Sequence, residues 1–376
     1  MRRARHRAGV RRERAASREP TLILHGAGMV YGSITGLRRR WYARDPERRR
    51  RLRRPVVSVG NLSIGGAGKT PVVAHLARLL TRQGERPSIL SRGYGRRIAQ
   101  DGVTVVSDGT AILADLDHAG DEPLMLARAL PGVPVLVGAS RYLSGTLAEE
   151  RLDVTIHVLD DGFQHLELAR DIDLLVVSEE DVKGRPLPAG RLREPLQAAA
   201  AADALLIDSA SDESAGQVRT ALGVATAFRI VRTLGAPYPL ANRAERERAA
   251  GDLPNVPPEG PVFALAAIAR PARFFSGLTS AGWQVAGSMA FRDHHLFTGR
   301  DVERVKAAAG AAGIAMVLTT EKDAVRLEGH DLGGLRVCVV PLRVTIEPAP
   351  AFLVWLEERV AAARASRPPL RSPHRL

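Results

Sequence analysis

Cysteine is almost absent from this 376-residue chain, where Cys338 stands alone. That excludes a disulfide framework and a cysteine-held metal, and it fits a reducing cytosolic setting. Aromatic residues are only 4% of the chain, which leaves little for stacking on bases and counts against a nucleic-acid-binding ATPase. Lysine is scarce too: of 54 basic residues only Lys69, Lys183, Lys306 and Lys322 are lysines. Where arginine serves almost everywhere, a retained lysine invites a chemical reason. No apolar run reaches the roughly 18 residues that a spanning helix needs. With 45% hydrophobic residues, however, the chain can bury a sizeable core, and its length suggests two domains.

The net charge of +13 is an N-terminal device. Residues 1–54 carry 18 arginines and no lysine against four acids, a balance of +14, so the remainder, with 36 bases and 37 acids, is at −1. Within this basic arm Thr21–Leu37 is uncharged but interrupted by Gly26, Gly28, Gly32 and Gly36. At helical spacing it presents one apolar stripe: Ile23, Ala27, Val30, Ile34, Leu37 and Trp41. Arg38-Arg39-Arg40 and Arg48–Arg51 follow. Two partners suit such a helix over Thr21–Tyr42: the body of the protein, or a bilayer interface whose anionic head groups meet the arginines.

Beyond the arm, two blocks of alternating strands and helices predict an α/β protein with parallel sheets covered on both faces. The first block has strands at Val56–Val59, Ser88–Leu90, Val103–Val106, Val133–Val137, Val154–Leu159 and Asp173–Val177, and helices at Lys69–Arg82, Asp121–Leu130 and Ser140–Glu150. Ala198–Ala202 reads as helical. The second has strands at Val262–Ile268, Gln284–Met289, Ala315–Leu318 and Val337–Val340, with helices at Pro271–Ala281, Arg300–Ala312 and Ala351–Ala363. The expected division is a basic arm with an amphipathic helix (1–54), a first lobe (55–233), a Pro-, Gly- and charge-rich excursion (234–260), a second lobe (261–365) and a disordered tail (366–376).

Chemistry begins at the first strand–helix turn. Ser63-Ile64-Gly65-Gly66-Ala67-Gly68-Lys69-Thr70 matches a phosphate-binding loop, with Ser63 in place of the first glycine. Glycines free backbone N–H groups to face phosphate oxygens, Lys69 reaches the β and γ phosphates, and Thr70 is placed to bind Mg²⁺. Asp160-Asp161 ends the strand Val154–Leu159, where a nucleotide site needs a metal-side acid; adjacent carboxylates repel unless a cation sits between them. Asp121 opens a helix in Gly120-Asp121-Glu122-Pro123, and its spacing alone favours an N-cap. In Asp293-His294-His295 the two imidazoles point different ways, and Thr320 to Asp323 has capping-box spacing.

Eight blocks in fixed order then carry a resemblance: VGNLS (59–63) running into the phosphate loop, SRGYGR (91–96), GDEP (120–123), DDGFQH (160–165), LPAGRLREP (187–195), PARFF (271–275), DHH (293–295) and TEKDAVR (320–326). From about Leu22 to Val340 the chain resembles the tetraacyldisaccharide 4′-kinase family, which phosphorylates the lipid A precursor. The resemblance implies two Rossmann-like α/β lobes, the first a P-loop kinase lobe, behind an N-terminal membrane-contacting helix. It implies ATP and Mg²⁺ as cofactors, and transfer of the γ-phosphoryl group to the 4′-hydroxyl of a tetraacylated glucosamine disaccharide 1-phosphate. By the same resemblance Lys69 and Thr70 serve phosphate and Mg²⁺, Asp160 and Asp161 are metal-side acids, Asp121 is the general base and His294 supports it. Tyr94, Arg141, Gln164, His165, Arg193 and Glu194 match positions near the substrates.

The implied partners are the acylated lipid and an anionic membrane surface, with no nucleic acid and no required protein. The implied location is the cytoplasmic face of the inner membrane. A membrane-tethered nucleotide switch is the alternative, and it would need neither Asp121 nor His294. The chain departs from the family at Ala266-Ala267-Ile268-Ala269, where a glycine-containing turn is usual, and in its Arg-rich start (1–19).

Overall fold

The computed structural model describes residues 22–66, 68–98, 101–240 and 260–367. The Arg-rich start, Ala67, most of the 234–260 excursion and the last residues of the tail lie outside them.

Strand β1 (Val56–Asn61) is buried along its whole length and pairs in parallel with β5 (Ile156–Asp160) on one side and β6 (Ile172–Ser178) on the other. Burial on both faces is why these segments read as continuous rather than alternating apolar runs. The helix after β1, α2 (Lys69–Arg82), buries Val72, Val73, Leu76, Ala77 and Leu80, one stripe at helical spacing. Among the described residues further strands extend the sheet to nine: β2 (Pro87–Ser91), β3 (Val103–Ser107), β4 (Val135–Gly138), β7 (Ala204–Asp208), β8 (Ala227–Leu234) and β14 (Leu342–Glu347). Their order is β14-β8-β7-β6-β1-β5-β2-β4-β3, antiparallel only at the two edges.

Among the described residues the second lobe holds a five-stranded sheet in the order β11-β10-β12-β13-β9. Its strands are β9 (Tyr238–Pro239), β10 (Val262–Ala266), β11 (Val285–Ala290), β12 (Met316–Thr320) and β13 (Arg336–Val340). The expected α/β architecture with two mainly parallel sheets is therefore present.

Three features differ from the sequence reading. The second lobe closes at Val340, not at residue 365. The chain then returns: β14 pairs antiparallel with β8, and the last helix (Ala349–Ala365) buries Phe352, Leu356 and Val360 in the core of the first lobe beside Phe228 and Ile230. The second lobe is thus an insertion between β8 and β14. Secondly, Leu196–Ala201 is a 3₁₀ helix rather than an α-helix. Thirdly, Arg367 is not loose tail: its guanidinium pairs with Asp171 at 2.6 Å and donates to the Arg54 carbonyl at 3.0 Å.

The first helix, α1 (Leu22–Arg44), docks by its small residues. A Cβ on Gly28 would lie 3.1 Å from Ala189 Cβ, and one on Gly32 3.1 Å from Pro195 Cγ, so these glycines let the helix lie close on the 186–195 loop. The apolar stripe consequently faces away from the body: Ile23, Val30, Ile34, Leu37 and Trp41 are all more than half exposed, Ile23 at 82%. Among the described residues no helix is long and apolar enough to cross a membrane.

Candidate active site

The phosphate loop is clamped from three sides. Asn61 Nδ2 donates to the Ser63 carbonyl at 2.7 Å and to Ser63 Oγ at 3.2 Å, so the serine that replaces the usual first glycine has a partner. Ile64 exchanges hydrogen bonds with Arg191: its N–H donates to the Arg191 carbonyl at 2.7 Å and its carbonyl accepts from the guanidinium at 2.8 Å. Lys69 Nζ donates to Asn61 Oδ1 at 2.8 Å and pairs with Asp161 at 3.2 Å. Gly65 and Gly68 take left-handed conformations, and Thr70 is buried at the start of α2. The alanine-containing turn of the second lobe meets this loop directly. A Cβ on Gly66 would lie 2.8 Å from Ala269 Cβ, so close approach is retained, with the glycine supplied by the phosphate loop.

The two acids at the end of β5 are held in opposite electrostatic states. Asp160 is buried, and Oδ1 has no hydrogen-bond partner among the described residues, while Oδ2 accepts from Ser91 Oγ at 3.4 Å. Burial, then Glu122 and Asp161, push its carboxyl up to about 7 against the pull of Lys69. Burial also acts to raise Asp161, but Lys69 and Arg193, the latter at 2.7 Å, outweigh it and hold that carboxyl below its ordinary value. Asp161 adopts φ 57°, a left-handed conformation that costs a non-glycine residue energy and is concentrated at functional sites.

A buried carboxylate with an orphaned oxygen suits a hard cation. Thr70 and Asp160 fit Mg²⁺, as does Asp161, whose carboxylate Lys69 and Arg193 already hold ionised. No group of three or more His, Cys, Asp or Glu among the described residues forms a ready cage. Magnesium at nucleotide sites needs none, since phosphates and water complete its shell.

Facing the first lobe's strand ends, Asp121 and His294 meet across the two lobes. Asp121 is the first residue of α4 (Asp121–Ala129), behind Gly120 at the cap position. Its Oδ1 accepts from the Glu122 N–H at 2.9 Å, and its Oδ2 lies 2.9 Å from His294 Nδ1. Arg326 is 3.3 Å from the same Oδ2. Burial acts to raise Asp121, but the His294 hydrogen bond and the charges of Lys322 and Arg326 outweigh it and keep the carboxylate ionised below its usual range. His294, like Asp161, is a non-glycine residue at positive φ, 60°. The neighbouring His295 turns away to Asp301 at 3.0 Å and stacks on Phe291, as two successive imidazoles must diverge.

The residues matched to substrate positions fall into two groups. Tyr94 is 73% exposed, its ring centroid 5.6 Å from that of His294, at the mouth of the cleft. Arg193 bridges Asp161 and Gln164, whose amide donates to the Asn61 carbonyl at 3.0 Å. Arg141 is buried, and burial together with Arg92 lowers its guanidinium to about 10. His165 is pushed down to about 3 by burial and by Arg141, Arg170 and Arg38, so it is neutral. Glu194 lies elsewhere: it is 3% exposed and turned onto Arg39 of α1 at 2.6 Å, a docking contact for that helix. Beside the phosphate loop a cavity of about 370 Å³ is lined by Ser63, Lys183, Arg185, Arg191 and Arg270, a basic wall against Glu180 and Asp181.

With this geometry in hand, comparison with known proteins gives a family. The model of the tetraacyldisaccharide-1-P 4′-kinase family (LpxK) matches residues 20–361. The chain belongs to that family. It is 38% identical over 340 residues to the tetraacyldisaccharide 4′-kinase of Geobacter sulfurreducens, covering 89% of this chain and 93% of the relative. It is 42% identical over 327 residues to that of Anaeromyxobacter sp. strain K, covering 85% of each. Among solved structures, LpxK from Aquifex aeolicus, described as an "apo" form in complex with ATP, superposes with a TM-score of 0.69 at 30% identity, over 89% of this chain and 98% of that one. The chain is accordingly an ATP-dependent lipid A 4′-kinase with ATP and Mg²⁺ as its cofactors, and the nucleotide-switch alternative is not favoured.

Four residues escaped the sequence reading as site residues. Asn61 holds Lys69; Glu122, Lys322 and Arg326 surround the Asp121–His294 pair. Lys322 had one signal, its survival in a chain with four lysines. Its neighbours Thr320 and Asp323 do form the expected helix cap, with Thr320 Oγ1 accepting from the Asp323 N–H at 3.1 Å.

Proposed function

We propose that Asp121 takes the proton from the 4′-hydroxyl of the lipid disaccharide while Lys69 holds charge on the phosphoryl group in transit, and that α1 delivers the enzyme to the membrane in which that lipid resides. The observation that carries this reading is the hydrogen bond between Asp121 and His294 across the two lobes, opposite a phosphate loop whose lysine is already aimed at Asp161.

Phosphoryl transfer asks a protein chiefly to position groups and to stabilise charge. Lys69 is positioned by Asn61 and Asp161. Asp121 is ionised, buried and oriented by His294, which suits a proton acceptor. Thr70, Asp160 and Asp161 would hold the Mg²⁺ that, when bound, neutralises phosphate charge. Arg141, Gln164, His165 and Arg193 line the acid side of the cleft. Tyr94 stands at its mouth.

A lipid with four acyl chains stays in its bilayer, since each buried methylene is worth roughly 0.8 kcal/mol. The exposed stripe Ile23, Ala27, Val30, Ile34, Leu37 and Trp41 would sink into the interface, with Arg38, Arg40 and Arg44 on the same helix near anionic head groups. The enzyme would then be peripheral, on the cytoplasmic face of the inner membrane, where ATP is available. The test is transfer of labelled γ-phosphate from ATP to the disaccharide 1-phosphate lipid in mixed micelles. Lys69→Ala is expected to remove most of it, and near wild-type turnover at saturating ATP and Mg²⁺ would overturn the assignment of Lys69.

A further inference from the structure

Lys322 is the second residue of the short helix Glu321–Leu327 of the second lobe, and its side chain is mostly buried. Its ammonium meets three acceptors at hydrogen-bond distance: Glu122 Oε1 at 3.2 Å, Asp293 Oδ1 at 3.2 Å and His294 Nε2 at 3.1 Å. Three N–H groups meet three acceptors, and an ammonium can only donate. The ring nitrogen Nε2 must therefore present its lone pair. The imidazole proton then sits on Nδ1, which donates to Asp121 Oδ2 at 2.9 Å.

We propose that Lys322 is a positioning residue for the phosphoryl transfer, fixing His294 as the neutral Nδ1–H tautomer so that the imidazole donates to Asp121 and leaves that carboxylate, not the ring, to take the substrate proton. This rests on the reading of Asp121 and His294 as the base pair and adds the device that sets their proton. The opposite tautomer would point Nε2–H at an N–H of Lys322 and the Nδ1 lone pair at an ionised carboxylate, two repulsive contacts in place of two hydrogen bonds. Lys322 keeps its own proton: burial acts against the charge, but Glu122, Asp121 and Asp293 outweigh it.

The arrangement also explains why lysine was kept. Its compact ammonium serves three divergent acceptors, two on the second lobe and one on the first, where a planar guanidinium serves paired acceptors lying in its plane.

The test has two arms. Histidine-selective ¹H–¹⁵N spectra of the wild-type protein are expected to show the His294 ring protonated at Nδ1 with Nε2 as acceptor, and Lys322→Met to abolish that pattern. A wild-type ring protonated at Nε2 overturns the proposal, whatever the activity. In the lipid kinase assay Lys322→Met is expected to lower kcat roughly 10²-fold with KM for ATP within about threefold, because the loss lies in proton acceptance and not in binding. Lys322→Arg, which keeps a charged donor, is expected to recover part of kcat. A Lys322→Met enzyme with unchanged kcat, or one whose loss is all in KM, overturns it. An inactive wild type would instead strike at the kinase reading, leaving the spectrum to decide the tautomer. If Lys322→Met does not fold, the wild-type spectrum still decides.

Discussion

Arg39 leaves the body-facing side of α1 to pair with Glu194 at 2.6 Å, and its guanidinium lies 4.2 Å from the centroid of the Phe163 ring and 3.1 Å from the Phe163 carbonyl. Phe163 directly follows the loop that carries Asp160 and Asp161. One side chain thus ties the helix with the exposed apolar stripe to the loop with the acid pair. Arg39→Ala strands a buried carboxylate, already raised by burial, and is expected to cost about 3 kcal/mol in denaturant unfolding. Glu194→Gln keeps an acceptor for Arg39 and should cost less. Equal, small losses for both would show that the pair contributes little to docking.

Asp121→Asn separates folding from catalysis. Gly120, not Asp121, caps α4; Asn matches Asp in shape and keeps an oxygen for the Glu122 N–H, and Arg326 retains Asp323, so melting should change by little. Asn cannot take a proton, so kcat is expected to fall by roughly 10²–10⁴. His294→Ala should also lower kcat, and the double variant should lose less than the product of the single losses, since the two act as a unit. The kinetics of all three variants with thermal melts check this; multiplicative losses would separate the two residues.

The stripe on α1 gives a prediction about surfaces. Val30, Ile34 and Leu37 are each about 60% exposed. Replacing all three by Glu should leave the melting temperature within a few degrees while reducing cosedimentation with anionic vesicles several-fold, most clearly at low salt. Unchanged cosedimentation would remove α1 from the membrane contact.

His165 links stability to pH. Its folded-state value, lowered to about 3 by burial and by Arg141, Arg170 and Arg38, lies below its ordinary 6.5. The unfolded chain therefore binds the extra proton first, so the contribution is complete above pH 6.5 and is lost as pH falls toward 3. His165→Asn should flatten the stability curve over that window by up to about 1.4 kcal/mol per pH unit, the limit for one proton. His157, buried and also lowered, remains in the variant and keeps part of the slope. Urea unfolding at a series of pH values measures it.

What was legible in the sequence was local. The phosphate loop, the strand before it and the helix after it lie within one short stretch, and each demands particular residues. Asp160-Asp161 could be placed because a buried apolar strand ends there. What was not legible was pairing at a distance. Nothing in Leu342–Glu347, with only Val344 and Ile346 inward, says that its partner is Ala227–Leu234 rather than a strand of the second lobe. Similarly, the α1 stripe was visible but not the side it faces, because Gly28 and Gly32 dock only onto a loop more than 150 residues away. Lys322 was hidden beneath a correct helix cap: Thr320 and Asp323 explained the motif locally, and its three acceptors come from two other segments.

The insertion of the second lobe between β8 and β14 sets an order of assembly during synthesis. Among the described residues the cores of the inserted lobe use none beyond Val340, whereas the nucleotide lobe still lacks Val344, Ile346, Phe352, Leu356 and Val360 when Val340 leaves the ribosome. The half of the protein that begins first in the chain is thus the half that can be completed only last. Until then β8 is an unpaired edge and Phe228 lacks its aromatic neighbours Phe352 and Trp355. A nascent kinase lobe in that state offers an open strand and an apolar patch, the features that chaperones recognise and that drive aggregation.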